Sequence, residues 1–262
     1  MRRYLRLLAV QLRASTALAL QYRLEFLGQG ALALLWTAWS LVPILVVFGR
    51  RGSVAGWSFE EALMVIGWFT LMKGVLEGAV NPSLASVVEH IRKGTLDFVL
   101  LKPADAQFLV STARFMPWRM VDVLSGLVIF GVAFARLGRA PGAGAVAASL
   151  AMLCCAILVL YSLWILVISA AFYVVKIDNL SYLFESIFDA ARWPVSVFQG
   201  LWRLLFTFVV PLALMTTYPA LALLGKLSPL LAVQALGGAA AFAAVSRLVW
   251  VRSIARYTSA SS

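Results

Sequence analysis

Residues 140–175 run without a single charged side chain. A spanning helix needs roughly 20 apolar residues, so this run is long enough to cross a bilayer while tilted or protruding. A soluble fold could hide such a run only inside a large polar shell. This chain cannot build one: of its 262 residues 63% are hydrophobic and 13% charged, against about 25% charged in a soluble domain. The mean hydropathy is +0.93. The chain therefore reads as an all-α integral membrane protein, and its unit of organisation is the spanning helix.

Six spans are expected, at about 25–48, 60–81, 112–135, 143–175, 195–215 and 229–250, in one membrane domain covering 1–262. Residues 1–23 place Leu5, Leu8 and Leu12 on one helical face beside Arg2, Arg6 and Arg13, the pattern of a basic helix lying in the interface. Arg13 and Arg23 interrupt its apolar stretch, so no cleaved signal peptide is expected. The second span is expected to close at Asn81-Pro82. Residues 176–194 are amphipathic. Glu185, Asp189 and Arg192 share one face, and Leu183, Phe184, Ile187 and Phe188 cover the other. "MTTYPALALLGKLSP", from Met215 to Pro229, is too interrupted by proline and glycine for a clean span.

Six spans put both termini on one side. Lys and Arg then divide unevenly: Arg50, Arg51, Arg136, Arg139 and Lys226 lie on the far side, Lys73 lies within a span, and the rest of the 22 fall on the terminal side. Orientation follows that bias, so both termini and the 83–103 and 176–194 loops are expected in the cytoplasm. The net charge of +11 then belongs to anionic headgroups. No basic run with interleaved aromatics points to nucleic acid.

Chemical motifs are few. No lysine precedes Ser or Thr, so the phosphate-binding P-loop is missing. This chain is expected to hydrolyse no ATP of its own and to be no enzyme. GxSxG and HExxH are missing too. Cys154 and Cys155 are adjacent in an apolar run without partner ligands, so no metal site is expected. Lys73 and Glu77, four apart on the second span, can pair on one face. They read either as a snorkelling pair at the helix end or as a polar point on a translocation path or gate. Arg119 and Asp122 suit the interface. Two other functions stay open: an ATP-independent channel or proton-coupled carrier using Lys73 and Glu77, and a lipid-modifying enzyme drawing on His90, Asp97, Asp105, Glu185 and Asp189.

"HIRKGTLDFVLLKP", His90 to Pro103, interrupts the apolar pattern. Pro82 suits the first turn of a helix and Gly94 its C-terminal cap. Arg92 and Lys93 sit in the last turn, where the dipole favours cations. "FVLL" adds a short apolar patch, closed by Lys102-Pro103. A short charged helix with an apolar patch suits docking to a soluble partner.

"NPSL" followed by "IRKGTLDFVLLKP" resembles the permease subunits of ABC-2-type transporters, in a bacterial branch with the signature IxxGxLDxxLLKP. "FDAARWPVSVF" and "FVVPLALMTTYPA" are similar to the same group. The resemblance covers essentially the whole chain, and some members are assigned to efflux of cationic, viologen-like or amphiphilic toxic compounds. It implies six spans, an N-terminal interfacial helix, a coupling helix over 83–93 with a turn over 94–103, and a re-entrant segment at Met215–Pro229. It implies two separate cytoplasmic ATPase subunits that bind ATP and Mg, and a second permease subunit, identical or different, in a bacterial inner membrane. Glu89, His90, Arg92, Lys93, Gly94, Thr95, Asp97, Lys102 and Pro103 would form the ATPase-coupling surface, with Glu185, Asp189 and Arg192 as a second cytoplasmic contact.

Overall fold

A computed structural model describes residues 2–173 and 178–257. The described residues form helices and turns, with one isolated bridge between Val54 and Trp57. In chain order the helices are α1 (Arg2–Gln21), α2 (Arg23–Arg50), α3 (Phe59–Val75), α4 (Asn81–Arg92), α5 (Asp97–Leu100), α6 (Ala106–Ser111), α7 (Met120–Leu137), α8 (Ala143–Ser169), α9 (Asp178–Asp189), α10 (Gly200–Leu204), α11 (Tyr218–Leu223) and α12 (Pro229–Ala255). The stretches Phe59–Arg92, Pro117–Leu137 and Ala143–Phe172, with α2 and α12, are long and apolar enough to cross a membrane.

The centre is α3. Its start is fixed by a capping box: Glu61 N–H donates to Ser58 Oγ, and Ser58 N–H to the Glu61 carboxylate. Beyond the first turn nearly every residue is buried, whichever way it points, as expected of a helix apolar all round. Small residues let α7 approach it. A Cβ on Gly67 would stand 2.4 Å from the Phe130 ring, and one on Gly126 would stand 2.8 Å from the Gly67 carbonyl oxygen. Close approach of this kind is how helices associate where lipid removes the hydrophobic drive. By contrast α2, equally apolar, leaves Leu24, Leu27, Leu35, Trp36 and Trp39 exposed, the surface expected to meet lipid.

Pro82 does not break the helix that begins at Phe59. The helix continues from Phe59 to Arg92 through a π-bulge at Leu76–Val80. Proline lacks an N–H and its ring collides with the carbonyl four residues back, so the turn widens there. Asn81 N–H reaches the Leu76 carbonyl. The freed Gly78 carbonyl accepts from Met116 N–H at 2.8 Å. The bulge is thereby tied to the segment before α7. That segment is itself pinned to α4, because Ser83 Oγ donates to the Arg114 carbonyl and accepts from Arg114 N–H. Residues 112–116 are therefore spent on the bulge and α4, and helix begins only at Pro117 rather than near 112.

The second half departs further from the sequence reading. Val174 to Ile177 lie outside the described residues, so the expected end of the fourth span and the start of the 176–194 segment do too. Between Glu185 and Ser196 the chain runs antiparallel to α3. Glu185 meets Asn81, Phe188 stacks on Phe69 at 5.4 Å, and Ser196 accepts from Trp57 Nε1 at 2.9 Å. Residues 178–196 thus traverse the bundle where a cytoplasmic loop was expected.

The expected span 195–215 is not one. Residues 200–209 and 213–223 form a pair bent by 69°. Gly200 begins beside Ala55 and Trp57, and Lys226, just past the pair, pairs with Glu61. Both ends therefore sit at the Phe59 end of α3. The bend, at Val210 and Leu212, reaches in to Leu163, Trp164 and Phe184. The re-entrant element is accordingly 200–223, not Met215–Pro229.

Candidate functional site

Two surfaces hold the polar residues of interest, and one continuous helix joins them. The first is a knuckle at the end of α4. Gly94, at φ +65°, takes the left-handed conformation that glycine adopts at little cost. Thr95 N–H returns to the His90 carbonyl and Gly94 N–H to the Ile91 carbonyl, which closes a Schellman motif. His90 Nδ1 and Thr95 Oγ1 are hydrogen-bonded at 2.7 Å, so both side chains are used in the turn. Glu89 and Lys93 pair with each other at 2.6 Å. Leu96 is buried and anchors the far side.

That anchoring turns α5 outward. Phe98 is 69% exposed and Leu101 81% exposed, three residues apart on one face. Arg92, Lys93, Lys102 and Pro103 are exposed around them. An apolar pair inside a charged rim has the composition of a protein contact.

Polar links run from the knuckle into the bundle. Asp105 caps α6 by accepting from Phe108 N–H, and Arg247 on α12 donates to both its oxygens, at 2.7 and 3.3 Å. Hydrogen bonding from Arg247 holds the Asp105 carboxyl below the ordinary aspartate range. Arg247 also donates to Gln107 Oε1 at 2.6 Å, and Gln107 donates to Tyr161 of α8 at 2.9 Å. α6 is thus held to α8 and α12 at once.

The second surface is a seam along α3. Lys73 lies about 20 Å along the helix from Phe59 at 1.5 Å per residue, well within a hydrocarbon layer of about 30 Å. Its Nζ is 3.9 Å from Glu77, and Glu77 also pairs with Arg119. Arg119 meets Asp122 at 3.2 Å, and Thr37 of α2 donates to the same buried carboxylate at 3.4 Å. Across the seam, Asn81 donates to Glu185 at 2.9 Å. Arg192 pairs with Asp189 at 3.1 Å and stands 5.3 Å over the Phe69 ring.

Two cavities open on it. One, of about 280 Å³, is lined by Trp36, Trp39, Phe69, Thr70 and Arg192 among others; the second, of about 230 Å³, is lined by Glu77, Tyr182, Glu185 and Phe188 among others. Lys73 and Asp189 line both and stand where the cavities meet.

The structure therefore regroups the sequence candidates. Lys73 and Glu77 are not a lone pair at a helix end. Glu185, Asp189 and Arg192, expected at a cytoplasmic contact, lie beside them, and Arg119 joins the group. Glu89 to Pro103 remain together at the knuckle, but His90 and Thr95 face the turn. Sequence reasoning named the "FVLL" patch but did not single out Phe98 and Leu101 as its exposed pair, although their spacing was the available signal. It also missed Gly67 and Gly126, whose importance appears only when α7 is in place. Among the described residues no cluster of His, Cys, Asp and Glu could hold a metal ion.

A family model described as "ABC-2 family transporter protein" matches residues 34–261. No curated protein and no solved structure matches the chain.

Proposed function

The chain belongs to the ABC-2 family of transporter proteins, and on that premise we propose that it is the permease subunit of an ATP-driven exporter whose ATP is hydrolysed by separate subunits. The single observation that carries this reading is the continuity of α3 and α4. The helix that bears Lys73 and Glu77 at membrane depth ends in the exposed knuckle. A push on Phe98 and Leu101 reaches the seam through one bulged helix, and through α6 it reaches α8 and α12. A nucleotide-driven change in the ATPase would thus favour one of two arrangements of that helix.

The seam is the translocation path in this reading. The Asp189 side chain is 51% exposed and those of Lys73, Glu77 and Arg192 roughly half as much. Ionisable groups at that depth face a partner or water rather than lipid. A second permease subunit would therefore complete the wall. Glu77, Glu185 and Asp189 outnumber Lys73 and Arg192, since Arg119 and Asp122 offset each other, and Trp36, Trp39, Phe69 and Tyr182 line the same space. Aromatic faces and an excess carboxylate suit an amphiphilic cation. In this reading the termini and the knuckle face the cytoplasm at a bacterial inner membrane, a sidedness that the basic bias supports.

The test is reconstitution of the chain with its ATPase in proteoliposomes, using tetraphenylphosphonium as a probe cation. Movement toward the Phe59 side should require ATP and should fall in Glu185→Gln. Movement that ignores ATP and follows the proton gradient would overturn the reading.

A further inference from the structure

Away from the seam, a groove of about 410 Å³ lies between α1, the first turn of α2 and the segment before α7. Ala14, Leu18 and Ala19 form one wall, and Phe115, Met116 and Trp118 the other. The walls are tied at one point, where Ser15 Oγ accepts from Phe115 N–H at 3.2 Å. The rest is an apolar slot.

Its edge is polar. Glu25 and Arg114 both line the groove and are both exposed. The main chain of Arg114 is held by Ser83, which fixes its backbone beside the groove, and its charge also acts on Glu89 of the knuckle. Among the described residues the two make no ion pair with each other. They present a cation and an anion on one rim.

Depth follows from α1. Arg2, Arg6 and Arg13 are exposed along it, as are Leu5, Leu12 and Leu18. A helix of that kind lies in the interface, with its apolar face at the boundary between headgroups and acyl chains. The slot therefore opens at acyl-chain level, with its charged rim among the headgroups.

We propose that this groove binds one phospholipid with a primary-ammonium headgroup, of the phosphatidylethanolamine type. One acyl chain fills the slot. Arg114 takes the phosphate, and Glu25 takes the ammonium. The headgroup chemistry discriminates. A phosphatidylglycerol brings a phosphate but no cation for Glu25. A phosphatidylcholine brings a cation with no N–H to donate to a carboxylate, so the charge-assisted hydrogen bond is lost. The test reads lipid retention and needs neither the ATPase nor transport, so its outcome is separate from that of the transport reading.

The experiment is native mass spectrometry of the full chain in detergent, with phosphatidylethanolamine, phosphatidylglycerol and phosphatidylcholine of identical acyl chains. The ethanolamine lipid should be retained about threefold better than either other, the scale of one exposed charge contact. Glu25→Lys should reverse the order in favour of phosphatidylglycerol. Arg114→Gln should weaken retention of the ethanolamine and glycerol lipids alike. Ala19→Phe should fill the slot and reduce all three; Ala14→Leu serves the same purpose if that variant does not fold. Equal retention of the three lipids, or an unchanged order in Glu25→Lys, overturns the proposal.

Discussion

The knuckle from Glu89 to Pro103 and the seam along α3 are both polar features of an apolar protein, yet they are built from different kinds of information. The knuckle is local. Its turn is closed by hydrogen bonds among His90, Ile91, Gly94 and Thr95, all within six residues. The seam is assembled. Thr37, Lys73, Arg119, Glu185 and Arg192 come from four distant parts of the chain. A local turn survives errors elsewhere in the bundle; an assembled seam does not.

The sharpest way to break that contrast is at the α3–α7 contact. Gly67→Leu places a side chain where the Phe130 ring already sits. Overpacking of this kind costs about 3 kcal/mol at the upper end of its usual range. Thermal unfolding of the purified protein should show a large loss. Gly131→Leu, on the same helix pair but with open space around it, should melt like the parent. Equal melting of the two variants would show that close helix approach does not hold the seam together.

Pro82→Ala tests the join between the regions. The bulge is then free to close and Met116 N–H loses the Gly78 carbonyl. One residue fewer in the bulge turns α4 by about 100° against α3. Transport should drop by about tenfold, equivalent to 1.4 kcal/mol, in protein that inserts normally. Full transport would mean that the knuckle's orientation relative to the seam is unimportant.

Phe98→Asp and Leu101→Asp act on the knuckle alone. Each should cost about 1–2 kcal/mol of partner binding, the range of a modest hot spot, read as loss of the ATPase on co-purification. The melting temperature should not move, since both side chains are exposed. A fall in stability with binding intact would reassign the pair to the fold.

The smallest effect is at Asp105. Arg247 lowers its carboxyl in the folded protein, so the ionised form is favoured by folding. The stability this contributes is present above the ordinary aspartate range and is lost as pH falls through the lowered folded value. With side chains 37% and 50% exposed, the pair is worth less than about 1 kcal/mol. Unfolding midpoints measured from pH 6 down to 3 should fall more steeply for the parent than for Asp105→Asn. Parallel curves would show that the Asp105–Arg247 pair does not stabilise the fold.

Legibility follows the same division. The knuckle could be read from "HIRKGTLDFVLLKP" because a cap and a turn depend on neighbours in sequence. What escaped was which apolar side chains point out, since burial of Leu96 sets that and its cover comes from elsewhere. The seam could be read only as Lys73 and Glu77. Asp189 and Arg192 looked solvated because an amphipathic segment reads alike whether its polar face meets water outside a membrane or a polar path within it.

By itself, the sequence determined that this chain lives in a membrane and is helical, because both follow from hydrophobic run length and the scarcity of charge. Tertiary structure alone decided that Pro82 widens a helix instead of ending it, that residues 178–196 traverse the bundle, and that 200–223 dips in and returns. The reason is physical. A proline's lost hydrogen bond can be replaced only by a donor from another segment, here Met116. A charged face can lie at membrane depth only where other helices supply its partners, as Asn81 does for Glu185.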